Sequence, residues 1–222
     1  MKIGKMNHIR VAHASDLHGN ILPLKNVDVT KIDAWILSGD FFPNITRGNI
    51  QTEINYQSDW FCNERDTIFK ALGDKPVINV DGNHDFVSLG ALLNEYAYAG
   101  QVLQIAENKL VEFNGLKFAG HGYIPWINGE WRGELRIPEM TNIVDQVWDN
   151  GFADVLVTHV PPAGILAGPW GCSVLANSMT YKDHTFTHHF FGHIHHHKPM
   201  EHSQNGTRFY NSATGCQIVE MY

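Results

Sequence analysis

Short apolar runs that each stop at a cluster of glycine and polar side chains constrain this chain more than any other feature. Residues 8–14 alternate Ile9, Val11 and His13 against Arg10, Ala12 and Ala14, then meet Asp16-Leu17-His18-Gly19-Asn20. Residues 34–37 run into Ser38-Gly39-Asp40, and residues 76–80 into Asp81-Gly82-Asn83-His84-Asp85. Residues 155–157 end in Thr158-His159, and a later strand in Gly192-His193-Ile194-His195. Runs of this length and composition read as buried strands. Between them, residues 51–72 carry Ile54, Phe61, Ile68 and Leu72 near helical spacing, with Gly73 just past the end. Residues 87–98 and residues 139–148, the latter after Pro138, also read as helices. Short strands are expected at 102–105, 110–113 and 117–119, with Asn114-Gly115 as a strong hairpin signal. Three or four more strands should follow from His188. Such a mixture, closing on a strand-rich tail, predicts a layered α/β sandwich rather than a regular barrel. With 222 residues and no repeat or linker, residues 1–222 are expected to form one domain.

In open α/β sheets, ligands bind beyond the carboxyl ends of the strands. Five strand ends that supply Asp, His and Asn therefore predict one polar rim. In extended chain, residues i and i+2 point to the same side, so Asp16 with His18, and His193 with His195, can each face one pocket. Glycines 19, 39, 82 and 192 allow sharp turns or close approach there. The chain has 14 histidines, and every candidate donor is a carboxylate, carboxamide or imidazole, with no thiolate. That set favours Mn, Fe, Ni or Zn over a cysteine-rich structural zinc. Seven donors are too many for one tetrahedral ion and suit two ions sharing a carboxylate. The formal charge of −7 and the absence of a Lys/Arg run argue against duplex nucleic acid as a partner. Two divalent ions would leave the site locally positive and attractive to a phosphate ester. No apolar run is long enough to span a membrane, and the start lacks a secretory stretch. Three widely spaced cysteines fit a reduced, cytoplasmic chain.

The ordered set D-x-H, GD, GNHD, TH and GHxH, from Asp16 to His195, resembles the calcineurin-like metallophosphoesterase family. The resemblance implies an αββα sandwich of two mixed sheets flanked by helices. It implies that Asp16, His18 and His195 hold one divalent ion and Asn83, His159 and His193 a second, with Asp40 bridging them. Manganese is the expected ion in vitro. A metal-bound hydroxide would be the nucleophile, and His84, beside Asn83, would protonate the leaving group. Asp85 either orients His84 or faces a loop amide. Many family members read GDxxD where this chain has Gly39-Asp40-Phe41-Phe42-Pro43, so any role of that second Asp is lost. The stretches 123–129 and 158–162, with Gly171-Cys172 and residues 210–213, resemble the metallophosphoesterase-domain-containing (MPPED-like) branch, linked to phosphodiesterase activity and nucleotide binding. Some of its members have Gly in place of the first His of GHxH, whereas here His193 is present.

These observations predict a dinuclear phosphodiesterase acting on a small, nucleotide-like phosphate ester. The alternatives are a phosphomonoesterase or protein phosphatase, and a non-catalytic binding module on the same fold. Tyr123, Trp126 and Trp131 lie in a Gly/Pro-rich loop and either stack a base or pack the loop onto the core. His121 is a candidate contact to a phosphate oxygen, and Asn211 a weaker substrate candidate. Residues 163–179 are a candidate lid, and a helix beginning at Gly171-Cys172 could point its N-terminus at the phosphate. His188 and His189 read as structural, and His196 and His197 as solvated. Cys172, with no base nearby in sequence, is not read as a nucleophile.

Overall fold

The computed structural model describes residues 8–46, 49–182, 185–196 and 200–222. Two sheets carry the architecture. The first is built from β1 (Ile9–Ser15), β2 (Ala34–Ser38), β3 (Val77–Val80), β4 (Val102–Gln104) and β13 (Gly215–Met221), in the order β13-β1-β2-β3-β4. The second contains β5 (Val111–Phe113), β6 (Leu116–His121), β9 (Val155–Thr158), β10 (His188–Phe191), β11 (Met200–Gln204) and β12 (Thr207–Asn211), in the order β11-β12-β10-β9-β6-β5. Strands β1 to β4 are mutually parallel, as are β6, β9, β10 and β12; the antiparallel strands sit at the edges. A small parallel pair, β7 (Ile124–Pro125) with β8 (Glu134–Leu135), lies apart.

The period-2 alternation of the strands sorts their side chains into separate cores. Val11, Ala34, Ile36, Ile78, Val155, Val157, Phe190 and Tyr210 meet between the sheets. On the opposite face of the first sheet, Ala12, Trp35 and Leu37 pack against α1 (Leu22–Lys25), α2 (Ile50–Leu72) and α3 (Leu89–Glu95). On the far face of the second, Ala119 and Leu156 pack under α4 (Ile137–Asp149) and α5 (Ser173–Tyr181). The order is therefore helices, sheet, sheet, helices, as expected. No helix among the described residues is long and apolar enough to cross a membrane.

Local chemistry explains the boundaries. Asn49 caps α2 by accepting from the Thr52 amide at 3.0 Å, and Gly73 ends it with φ +64°. Asn114 and Gly115 both have positive φ, the geometry a two-residue β5–β6 hairpin requires. The helix expected over 87–98 forms only as α3, because the preceding residues belong to the turn after β3. Helix α1 and the β7–β8 pair carry no periodic signal in the sequence. Two buried polar residues of α2, Glu53 and Gln57, occupy the same stripe as Phe61 and Ile68.

Candidate metal centre

Parallel strands leave their carboxyl ends on one side of each sheet, and the two sheets bring those ends to a common rim. The β1–β2 ladder continues past the strands: the Asp16 amide donates to Gly39 O (2.9 Å), His18 to Asp40 O (3.0 Å) and Gly19 to Phe41 O (2.9 Å). This holds the Asp16 and Asp40 loops side by side. In the second sheet the Gly192 amide donates to His159 O at 2.9 Å, aligning the loop after β10 with the end of β9. Asp16, His18, Asp40 and His193 all have left-handed backbone, with φ of +53°, +45°, +54° and +64°. Such conformations are uncommon in residues with a Cβ and concentrate at functional sites.

The side chains form overlapping triads whose donor atoms lie within 4.8 Å of one another: Asp16, His18 and His195; His18, Asp40 and His84; Asp40, His159 and His193. His195 Nε2 is 3.0 Å from Asp16 Oδ1. Asp40 Oδ1 accepts the His84 amide at 2.8 Å, and Oδ2 lies 3.2 Å from His159 Nε2 and 3.9 Å from His18 Nε2. Asn83 Oδ1 is 3.0 Å from His159 Nε2, and His193 Nδ1 is 3.3 Å from that same nitrogen. His159 Nδ1 donates to Ser38 O at 2.8 Å, which leaves Nε2 facing the cluster. Asp16 also accepts from the Ser15 hydroxyl (2.6 Å) and the His193 amide (2.9 Å). All seven expected donors thus meet, with Asp40 between the two ends.

Two carboxylates, each 2% exposed, share this space. Burial opposes their ionisation, but His195 and His159 around Asp16, and His159, His84 and His18 around Asp40, hold both below the usual carboxylate range. Burial likewise opposes a charge on His159, yet Asp40 and then Asp16 outweigh it and push that imidazole up to about 10. Burial and the adjacent His159 bring His193 down to about 4. Buried oxygen and nitrogen donors that converge on one space, two of them carboxylates compensated by the surrounding imidazoles, fit divalent cations.

The structure corrects several expectations about the surrounding residues. Of the two places expected for Asp85, it takes the loop-amide one and not the His84 ring: its carboxylate accepts from the Phe42 amide (3.0 Å) and the Gly82 amide (2.7 Å), holding two loops together. The partner of His84 Nδ1 is Asn44 Oδ1, at 2.6 Å. His121 is buried at the end of β6, where its ring nitrogens close no hydrogen bond and burial brings its pKa down to about 4. Tyr123 points its hydroxyl at Glu107, 3.4 Å away, in a cavity of about 320 Å³ beside Asp81, Gln104 and Arg132. Trp126 lies under the Arg136 guanidinium, 4.4 Å from its ring, in a separate groove with the start of α5. The N-terminus of that helix lines this groove, which none of the clustered Asp and His side chains borders. The aromatic that reaches the site is Trp131, whose ring centroid is 4.0 Å from that of His84.

Asn211 is buried and spends its amide on Ile194 O and the Ala213 amide, so it braces the His193–His195 loop. His196 is not simply solvated: its Nε2 bonds Leu166 O at 2.7 Å and ties the first part of the 163–179 segment to the rim. The second part of that segment is α5, packed against α4. His197 lies outside the described residues. His189 is structural, bonding Thr158 Oγ1 at 2.8 Å. Behind Asp16, His13 bridges Ser38 and Ser212, each at 2.8 Å, a role its place in an alternating strand did not reveal.

A four-layer sandwich with aspartate, asparagine and histidine donors gathered at its strand ends defines a metallophosphoesterase. The family model of calcineurin-like phosphoesterases matches residues 9–197, and the chain belongs to this metal-dependent family. Similar solved structures include TT1561 of Thermus thermophilus, with 14% identity, 94% of this chain and 91% of that chain covered, and a TM-score of 0.62. They also include a 5'-nucleotidase from Candida albicans, with 15% identity, 91% and 44% coverage, and a TM-score of 0.55. At these identities the likeness shows the fold. No curated protein matches the chain significantly in sequence.

Proposed function

We propose that the chain is a dinuclear phosphodiesterase acting on small, nucleotide-like phosphate esters. The observation that carries this reading is the pair of donor triads joined through Asp40 and His18. Asp16, His18 and His195 would hold one divalent ion, Asn83, His159 and His193 the other, and Asp40 both. Mn, Fe, Zn and Ni all suit this donor set. The ions would supply Lewis acidity and an activated water for in-line displacement at phosphorus. His84 then protonates the departing alkoxide, and Trp131, tilted against His84, offers an aromatic face to the group that departs.

Charge favours a diester over a monoester. Among the described residues, the main charges acting on Asp16, Asp40, His193 and His195 come from aspartates and histidines, with no guanidinium or ammonium. Arg132 is engaged elsewhere, on Asp81 and on Asp85 O. A monoanionic diester needs less compensation than a dianionic monoester.

The test combines metal analysis of wild type and Asp40→Ala with hydrolysis of bis- and mono-p-nitrophenyl phosphate in manganese. Wild type should bind two ions and prefer the diester, and Asp40→Ala should lose both ions. Full metal content in Asp40→Ala removes the bridging role, and a strong monoester preference replaces the diesterase with a phosphomonoesterase. Inertness toward a broad panel of phosphate esters would leave a binding module.

A further inference from the structure

We propose that Asn44, oriented by the buried Glu53 of α2, is the positioning residue of His84 and fixes its imidazole as the Nδ1–H tautomer, with Nε2 left for the substrate. The role rests on the hydrolase reading above, but the tautomer does not.

The orientation follows from hydrogen-bond chemistry. Glu53 is 0% exposed, and donors surround its carboxylate: the Ile45 amide at 3.1 Å, the Thr46 amide, the Thr46 hydroxyl at 3.1 Å, and Asn44 Nδ2 at 3.2 Å. Asn44 Nδ2 also donates to His84 O at 3.1 Å. A carboxylate and a carbonyl oxygen can only accept, so the side of the Asn44 amide that faces both must be its NH₂. Oδ1 is thereby the atom left facing His84 Nδ1, at 2.6 Å. An amide oxygen can only accept, so Nδ1 must donate, and the second nitrogen of the neutral ring is bare. Trp131 against one face and His18 at a ring distance of 4.8 Å confine the imidazole further. Gln57, one turn along α2, holds the same loop by donating to His84 O at 2.7 Å and accepting from the Phe86 amide at 2.8 Å.

This arrangement suits a proton donor. When the protonated ring acts, the proton leaves Nε2 for the departing alkoxide oxygen as its bond to phosphorus breaks. The Nδ1–H bond to Asn44 persists throughout, so the ring does not turn. Solvent then returns a proton to Nε2. Asn44 touches no reacting atom and acts only through His84.

The test reads the tautomer directly, by long-range proton–nitrogen NMR of ¹⁵N-histidine-labelled protein, metal-free and zinc-loaded, at a pH where the His84 ring is neutral. Wild type should show His84 as Nδ1–H. Asn44→Leu should lose that preference while keeping its metal content, and its hydrolysis of alkyl phosphodiesters should fall by about tenfold or more relative to p-nitrophenyl esters, which need no acid. Asn44→Ala, which removes the same acceptor without adding bulk, should change both readouts in the same direction, and it serves if Asn44→Leu fails to fold. A wild-type Nε2–H tautomer, or an Nδ1–H tautomer that survives in Asn44→Leu, overturns the proposal. If wild type hydrolyses nothing yet shows Nδ1–H, the hydrolase reading fails while the positioning geometry stands.

Discussion

Gly39→Ala is the substitution whose cost can be worked most directly from the rim. Gly39 has φ +98°, a left-handed conformation that strains any residue with a Cβ. A Cβ there would lie 2.6 Å from His159 Nδ1, 2.7 Å from Gly82 Cα and 2.8 Å from Gly82 N. The last two are backbone and cannot swing aside. Backbone strain of about 1–3 kcal/mol adds to overpacking of about 1–3 kcal/mol. The sum is on the order of 4 kcal/mol, which at about 2–4 °C per kcal/mol for a chain of this length lowers Tm by roughly 10 °C. The same Cβ displaces His159 Nδ1 from Ser38 O, its 2.8 Å anchor, and so turns Nε2 away from Asp40 and Asn83. Metal content should therefore fall together with Tm. The assays are thermal denaturation followed by circular dichroism and elemental analysis of purified protein. A Tm within about 2 °C of wild type, with both ions retained, would refute the close approach of the two sheets on which the site depends.

Trp131→Ala should raise KM for aromatic diesters about 2- to 10-fold, the equivalent of one aromatic contact, with less effect on dialkyl phosphates; an equal effect on both classes removes the stacking role. His13 provides a pH test. Burial, against a pull from Asp16, lowers its pKa from 6.5 to about 3. Below pH 6.5 the unfolded chain therefore binds a proton that the folded chain refuses, so the His13 contribution is complete above 6.5 and is lost as pH falls toward 3, by up to about 1.4 kcal/mol per pH unit. His13→Gln should flatten the decline of Tm between about pH 6 and 4 in metal-free protein, and an unchanged slope contradicts this account.

The strands, the hairpin at Asn114-Gly115 and the seven donors were readable because each depends on neighbours within a few residues. Apolar runs mark strands wherever they pack, and donors that follow parallel strands share a rim by topology alone. The shell around the donors was not readable in that way. Asp85 adjoins His84 in the chain, yet its carboxylate belongs to Phe42 and Gly82, while Asn44, forty residues upstream, holds the ring. Pairing across loops follows from how the loops dock, which short-range pattern does not encode. One signal did exist: the stripe of α2 that buries Phe61 and Ile68 extends back through Gln57 and Glu53, and polar residues on a buried stripe call for buried partners.

By itself, then, the sequence determined the layered α/β class and the donors that reach the strand ends, since those rest on periodicity and on residue chemistry. The tertiary structure alone decided which aromatic reaches the site and which side chain orients His84. Trp126 and Trp131 are alike in local composition, but only the turn between β7 and β8 lays Trp131 on His84 while Trp126 goes to Arg136. A side chain's direction depends on backbone conformations and contacts made across the whole fold, so chemistry of this kind appears only once the sheets and loops are in place.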